Sequence, residues 1–336
     1  MGQNIEANVE SSLERVKKID FKEYGPVIAL FFLMLLGYII NPTFLSPANI
    51  TNVLTRTAFI GIIAVGATFV IIAGGIDLSV GSMAAFISGV MILVMNFAMN
   101  SLGVGLRTVL IGVGTSLLLG IAAGFTNGLV ITKGKIEAFI VTLGTMGIFR
   151  SLVIYLADGG TLRLDFGIRA TYRPLYYSSF LYIPIPIWVF TFIAVLGAII
   201  LRKTRFGRYC LAIGSNRNVA RYSAINVDLI RTFTYIIQGL CVSVATIIYV
   251  PRLGSASGTT GQLWELEAIA AVIIGGTALK GGYGRIWGTI VGAIILSMIG
   301  NILNLTDIIS QYLNGTVQGI IIVAAVLFQR GRRTQR

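Results

Sequence analysis

One carboxylate, Asp77, stands in the run Gly74-Gly75-Ile76-Asp77-Leu78-Ser79-Val80-Gly81, between two long apolar stretches, 58–73 and 82–98. A carboxylate at the centre of a membrane helix costs about 3 kcal/mol or more, so it must face water, protein or a polar pathway. The glycines on either side signal backbone that is not ordinary helix. Such backbone survives at membrane depth only where protein buries it or a cavity hydrates it. Two roles are open to Asp77: a group in a polar pathway, or a cap that accepts backbone N–H bonds at a broken helix.

The rest of the composition removes most other chemistry. The 336 residues include no histidine and two cysteines. Histidine-ligated zinc, haem and non-haem iron sites are therefore excluded, as are Ser-His-Asp and Cys-His catalytic sets. Cys210 lies in a basic loop and Cys241 in an apolar segment, so two unpaired thiols are expected. Gly134-Lys135 is followed by Ile136, and the chain has no Gly-x-x-x-x-Gly-Lys-Ser/Thr run to hold a nucleotide phosphate. If nucleotide drives this protein, another subunit brings it.

The elements that must hold Asp77 are membrane helices. The chain is 55% hydrophobic and 12% charged, against about 25% charged in an average soluble protein. Its mean hydropathy is +0.85. Forty glycines suit close helix packing. Ten apolar segments stand out: 25–40, 58–73, 82–98, 108–131, 138–156, 183–201, 232–251, 268–279, 286–304 and 315–329. The eighth is short enough to be a half-membrane or re-entrant piece. The polar residues 1–23 and the first apolar run show no cleavable signal pattern.

Basic residues set the orientation. With the N-terminus inside and the segments alternating, the inside regions collect nineteen Lys and Arg, among them Lys133, Lys135 and seven from Arg202 to Arg231. The outside regions collect six: Arg56, Arg107, Arg163, Arg169, Arg173 and Arg252. This is the positive-inside bias, and it explains the net charge of +13 without nucleic acid. Arg150 falls within a segment and receives no role. The outside loop 157–182 is rich in tyrosine (Tyr172, Tyr176, Tyr177, Tyr182), which fits an interfacial aromatic belt, with a partner surface or a sugar-stacking face as alternatives. In the inside loop 202–231, Ser215 or Asn216 can cap a short helix over about 216–224. Such a helix can carry force to a motor; the blander reading is a basic loop that only fixes orientation. Gly74-Gly75-x-x-Leu78-x-x-Gly81 also resembles Gly275-Gly276-x-x-Leu279-x-x-Gly282, an internal echo of the kind that structural repeats leave in transporters.

Several signatures, in this order, carry a resemblance. They are Asn41-Pro42-Thr43-Phe44-Leu45-Ser46 with Asn49-Ile50-Thr51-Asn52-Val53-Leu54; Gly74–Gly81; Thr126-Asn127-Gly128; and Phe139–Thr145. Then follow Thr204-Arg205-Phe206-Gly207-Arg208, Ala212–Asn216 and Glu265–Leu279. Together they resemble the permease subunits of bacterial monosaccharide ABC importers, the ribose, galactose and xylose permease family. The resemblance implies an all-α polytopic membrane protein of about ten transmembrane or re-entrant helices. Its parts would be a cytoplasmic segment 1–24, one permease domain 25–329 and a basic tail 330–336, with both termini cytoplasmic in the inner membrane.

The resemblance also implies a job without covalent chemistry: passage of a pentose or hexose, ribose-like in the first instance, by alternating access. The alternative is an ion-coupled secondary sugar transporter, against which the near isolation of Asp77 argues. The implied partners are a cytoplasmic ATPase, a periplasmic sugar-binding protein and a second permease copy, in a homodimer or a heterodimer. ATP and magnesium would sit on the ATPase, with no cofactor in this chain. The coupling residues implied are Gly207, Arg208, Gly214, Ser215, Asn216, Ala220 and Arg221. The pathway candidates are Asp77, Ser79, Asn127, Thr142, Thr145, Gly275 and Gly276. A neutral cargo favours Asp77 as a cap, and helix glue is the favoured role for Asn127. Glu265 and Glu267 are two apart and cannot share a helix face, and each could meet the binding protein. The family often has proline at Ala138, glycine at Ala224 and aspartate at Glu267; the first two departures loosen the expected turn geometry.

Overall fold

The computed structural model describes residues 25–306 together with 315, 316, 319, 320 and 323. The expected segment 1–24, the tail 330–336 and most of the apolar stretch 315–329 lie outside the described residues. Helix α1 covers Gly25–Ile40. Asn41 caps a 3-10 turn over Pro42–Leu45. Ser46 then starts α2 (Pro47–Ile72), its hydroxyl accepting from the Asn49 amide at 3.3 Å. Next come α3 (Val80–Leu102), α4 (Leu106–Lys133) and α5 (Ala138–Leu156).

A region of short pieces follows: β1 (Thr161–Arg163), α6 (Phe166–Tyr172), α7 (Pro174–Tyr177), β2 (Ser179–Phe180) and β3 (Ile183–Pro184). The chain then forms α8 (Ile185–Lys203), α9 (Arg205–Ser215), α10 (Arg217–Tyr222) and α11 (Val227–Leu253). It ends, as described, with β4 (Ser255–Ser257), α12 (Trp264–Ile274) and α13 (Ile286–Thr306). Strand β1 pairs antiparallel with β4, Leu162 opposite Ala256. Among the described residues seven helices are long and apolar enough to cross a membrane: α2, α3, α4, α5, α8, α11 and α13. The all-α membrane architecture expected from composition is therefore what forms. The eighth expected segment, 268–279, falls partly on the eleven-residue helix α12 and partly on the non-helical residues that follow it. At 1.5 Å per residue that helix reaches about 16 Å, half of a ~30 Å hydrocarbon layer.

Helix α2 is the hub. It packs against α8, α11, α12 and α13, and its residues from Thr57 to Ile72 are buried without a break. The sequence placed its start near 58, because Asn49, Thr51, Asn52 and Arg56 read as loop. The Ser46 cap and Pro47 in the first turn begin the helix eleven residues earlier. The outer tyrosines divide. Tyr172 is core, 1% exposed, its hydroxyl donating to the Ile247 carbonyl at 2.6 Å. Tyr176 stacks on Phe59, and Tyr182 is fully exposed. Arg150, unassigned from sequence, donates from Nη1 to the carbonyls of Gly258 (2.6 Å) and Thr260 (2.7 Å), pinning the irregular strand that leads into α12.

The tightest helix pair is α4 against α11. Ser116, Gly120, Gly124 and Gly128 form one small-residue stripe at four-residue spacing, and α11 answers with Ser243, Gly239, Tyr235 and Thr232. The Ser243 hydroxyl donates to the Ser116 carbonyl at 2.6 Å, and the Ser116 hydroxyl to the Ser243 carbonyl at 3.3 Å. Without a hydrophobic drive between helices in lipid, such close packing and interhelical bonds hold the bundle. A methyl group at Gly120 would overlap the Gly239 carbonyl. Gly120→Val is therefore expected to cost about 3 kcal/mol or more, or to prevent folding. Gly114→Val on the open side of α4, where an added Cβ meets nothing, should be near neutral. Thermal unfolding of the two variants in mild detergent checks the difference.

Candidate functional site

The candidate site starts where α2 stops. The Gly74 amide donates to Ile71 O and the Gly75 amide to Val70 O, both at 2.9 Å, with Gly74 at φ 75°. This is the left-handed helix stop that glycine permits without strain. Residues 75–79 then run without helix to the start of α3. The Tyr235 hydroxyl of α11 donates to the Ile76 carbonyl at 3.4 Å. Asp77 Oδ1 accepts from the Ser79 amide (2.9 Å) and the Ser79 hydroxyl (2.6 Å). Asn127 of α4 donates from Nδ2 to Ser79 Oγ at 3.0 Å.

Asp77 is 5% exposed, and Ser79 and Asn127 are fully buried. One oxygen on each of the two outer members, Asp77 Oδ2 and Asn127 Oδ1, has no hydrogen-bond partner. The relay Asn127–Ser79–Asp77 thus staples the break to α4, and it keeps two acceptors unspent. Asn127 lies six residues before Lys133, about 9 Å in from the end of its helix. The relay is deep, not a surface turn.

The other pathway candidates do not join it. The Thr142 hydroxyl donates to the Ala138 carbonyl (2.8 Å) and the Thr145 hydroxyl to the Thr142 carbonyl (3.3 Å), both within α5. Gly275 packs against the backbone of Gly288 and Thr289 on α13. Gly276 (φ 88°) ends α12 with the same pair of bonds that ends α2: Gly276 N to Ile273 O at 2.9 Å and Thr277 N to Val272 O at 3.1 Å. The internal echo is therefore a shared helix stop, but the structural partner of Gly74 is Gly276. The sequence pairing with Gly275 is one residue out.

The loop behind the break is two helices. Thr204 caps α9, whose buried face is Gly207, Cys210 and Ile213. Burial pushes the Cys210 thiol up to about 12, and both cysteines are free. Asn216 caps α10, its Oδ1 accepting from the Asn218 (3.0 Å) and Val219 (3.1 Å) amides. Ala220 is buried, while Arg208, Arg217, Val219, Arg221 and Tyr222 are exposed.

Gly214, at the end of α9, touches the break itself. A methyl group there would overlap the Ile72 carbonyl and crowd the Gly282 amide. The same Ile72 carbonyl accepts from Gly282 N at 2.9 Å. Three segments, the α2 stop, the end of α9 and the 281–282 turn, thus cross backbone to backbone. The turn after α10 uses Ala224 at φ 59°, where the resembling family often has glycine.

The sequence named Asn49, Asn52 and Glu267 separately but did not bring them together at the opposite end of the bundle. A cavity of about 540 Å³ lies between α2 and α13, lined by Asn49, Asn52 and Arg56 of α2, Asn301 and Asn304 of α13, and Glu267 of α12. The signal was available: spacings of three, seven and three put each set on one helix face. Glu265 sits elsewhere, its Oε2 beside Gly81, so the two glutamates do face apart. Among the described residues no cluster of His, Cys, Asp or Glu could hold a metal ion.

Comparison with known proteins follows the same lines. Residues 49–326 match the family described as branched-chain amino acid transport system / permease component. A ribose import permease protein, RbsC, of Bacillus subtilis is 42% identical over 94% of this chain and 96% of its own length. The Escherichia coli protein of that name is 38% identical over 91% of this chain and 92% of its own. The L-arabinose transport system permease protein AraH of Escherichia coli is 34% identical over 92% and 90%.

Two variants probe this geometry. Asp77→Asn keeps an oxygen that accepts from Ser79, so assembly is expected to survive while transport falls. Size-exclusion profiles and vesicle uptake separate the two, and full transport would remove the charge from any role. Ala224→Gly relieves a left-handed alanine and is expected to stabilise the chain by about 1 kcal/mol, read as a raised unfolding midpoint.

Proposed function

Because the chain belongs to the branched-chain amino acid transport system / permease component family, we propose that it is the membrane-spanning permease subunit of an ATP-driven importer for a monosaccharide, ribose-like in class. The similarity to ribose and arabinose permeases along nearly the whole chain supports the cargo class. The bundle is an inner-membrane protein. Its basic end, with loops 134–137, 204–226 and 275–285, faces the cytoplasm in this reading. Nothing in the fold favours the ion-coupled alternative.

The observation that carries the mechanism is the crossing of Gly214, Ile72 and Gly282. Helix α10 offers Val219 and Tyr222, 57% and 88% exposed, along with the exposed Arg217 and Arg221. An ATPase gripping that face moves α9 with it. At this crossing the contact is backbone to backbone, so displacement passes directly to the end of α2 and the 275–285 loop. Alternating access then follows from motion of these two helix stops. ATP and magnesium act on the partner; this chain supplies the passage and the lever. Two copies of the permease form the passage, and a periplasmic binding protein delivers the sugar.

Co-purification tests the assignment. An ATPase subunit is expected with the wild-type chain in mild detergent, and Val219→Asp or Tyr222→Ala should lose it. Gly214→Val should instead keep the ATPase and lose uptake, because it lies at the lever's inner end. Uptake that survives collapse of ion gradients and stops on ATP depletion supports the importer; the reverse pattern overturns it.

A further inference from the structure

The first turns of α2 carry Asn49, Asn52 and Arg56, and the permease mechanism makes no use of them. Asn49 and Asn301 bond each other reciprocally, Nδ2 to Oδ1 at 2.8 and 2.9 Å, and Asn49 also donates to the Phe44 carbonyl at 2.8 Å. That amide pair fixes the spacing of α2 and α13. Asn52 and Asn304, one helical turn further along each face, line the same cavity of about 540 Å³. Arg56 and Glu267 line it too, and also line an adjoining cavity of about 210 Å³ with Phe59, Tyr249, Arg252 and Trp264. Its aromatic wall is built edge to face: Trp264 on Tyr249 at 4.8 Å and Tyr249 on Phe59 at 5.3 Å.

We propose that these joined cavities are a holding station for one neutral sugar, at the end of the bundle opposite the basic loops. Asn52, Asn304, Arg56 and Glu267 take its hydroxyls, and Trp264 with Tyr249 meets its C–H face. The proposal rests on the sugar-importer reading above and adds to it the place where the sugar waits. The chemistry matches a polyol. Each hydroxyl is both donor and acceptor, and the two amides present both kinds of atom, while Arg56 only donates and ionised Glu267 only accepts. A ring's C–H face is apolar and slightly positive, and it suits the negative face of an aromatic ring. The larger volume falls within the ~300–1,000 Å³ usual for small-molecule sites. Glu267 offsets one of the two arginine charges, so the lining is a mixed polar surface and not a dedicated anion site.

Single Asn52→Cys and Asn304→Cys variants of the full chain, purified as the permease assembly, test this by maleimide labelling. The native thiols give a slow background, because both are buried and the Cys210 thiol is pushed up to about 12. Ribose at about four times its dissociation constant should slow labelling about fivefold by occupancy alone. An equal osmolality of betaine should leave the rate unchanged. Asn52→Ala and Asn304→Ala should raise the uptake KM more than they lower kcat. Unchanged labelling at both positions, with wild-type vesicles still importing ribose, overturns the station and leaves the importer reading standing. Failure of wild-type vesicles to import any pentose or hexose overturns the reading and the station together. Stronger protection by the sugar phosphate than by the sugar overturns the neutral class. Protection by the binding protein without sugar shows a protein segment as the occupant, and also overturns the proposal.

Discussion

An interrupted helix at membrane depth exposes amide and carbonyl groups that lipid cannot bond, and each costs several kcal/mol if left alone. The break after α2 meets much of this constraint from within the protein. Gly74 and Gly75 turn their amides back on Ile71 and Val70, Gly282 takes the Ile72 carbonyl, and Tyr235 takes that of Ile76. Asp77 folds over Ser79, and Asn127 closes the group from α4. The elements that supply these partners must therefore converge on the end of α2. That convergence places α4, α11 and the 275–285 turn around the hub helix.

The same constraint makes the region mechanical. Bonds that satisfy a break also tie it to whatever supplies them. A Gly282 amide on the Ile72 carbonyl, with Gly214 pressed on the same atom, leaves no compliant side chain at that crossing. The small-residue stripe of α4 against α11 has the opposite character. It holds two full-length helices at the closest approach that glycine and serine allow, with reciprocal hydroxyl bonds. One part of the bundle holds two helices together, and the other is where the proposed mechanism passes displacement on.

Much of this was legible in the chain. The membrane class and the short eighth segment follow from apolar run lengths, because hydrocarbon thickness acts on local sequence. Asn216 as a cap and the helix it starts were legible for the same reason: a side chain bonding amides two and three residues on is a local event. Thr142, Thr145, Gly275 and Gly276 were named as pathway residues from signatures alone. Their hydroxyls and backbones are used by their own helices and by α13. The start of α2 was placed too late because polar residues on one face of a helix look like loop when the other faces are ignored.

The sequence by itself determined that this is a helical membrane permease, and that Asp77 needs a protein-lined place. Those conclusions depend on residue type, run length and short spacing, which one strand of text contains. Only the tertiary structure decided that Asn127, 50 positions after Asp77 in the chain, closes its relay. It also decided that Gly214 rests on Ile72, that Asn49 bonds Asn301, and that Asn52 and Asn304 line one cavity beside that pair. Each of these joins residues far apart in the chain through contacts of a few ångströms. Such contacts are fixed by how helices pack, which no local pattern encodes.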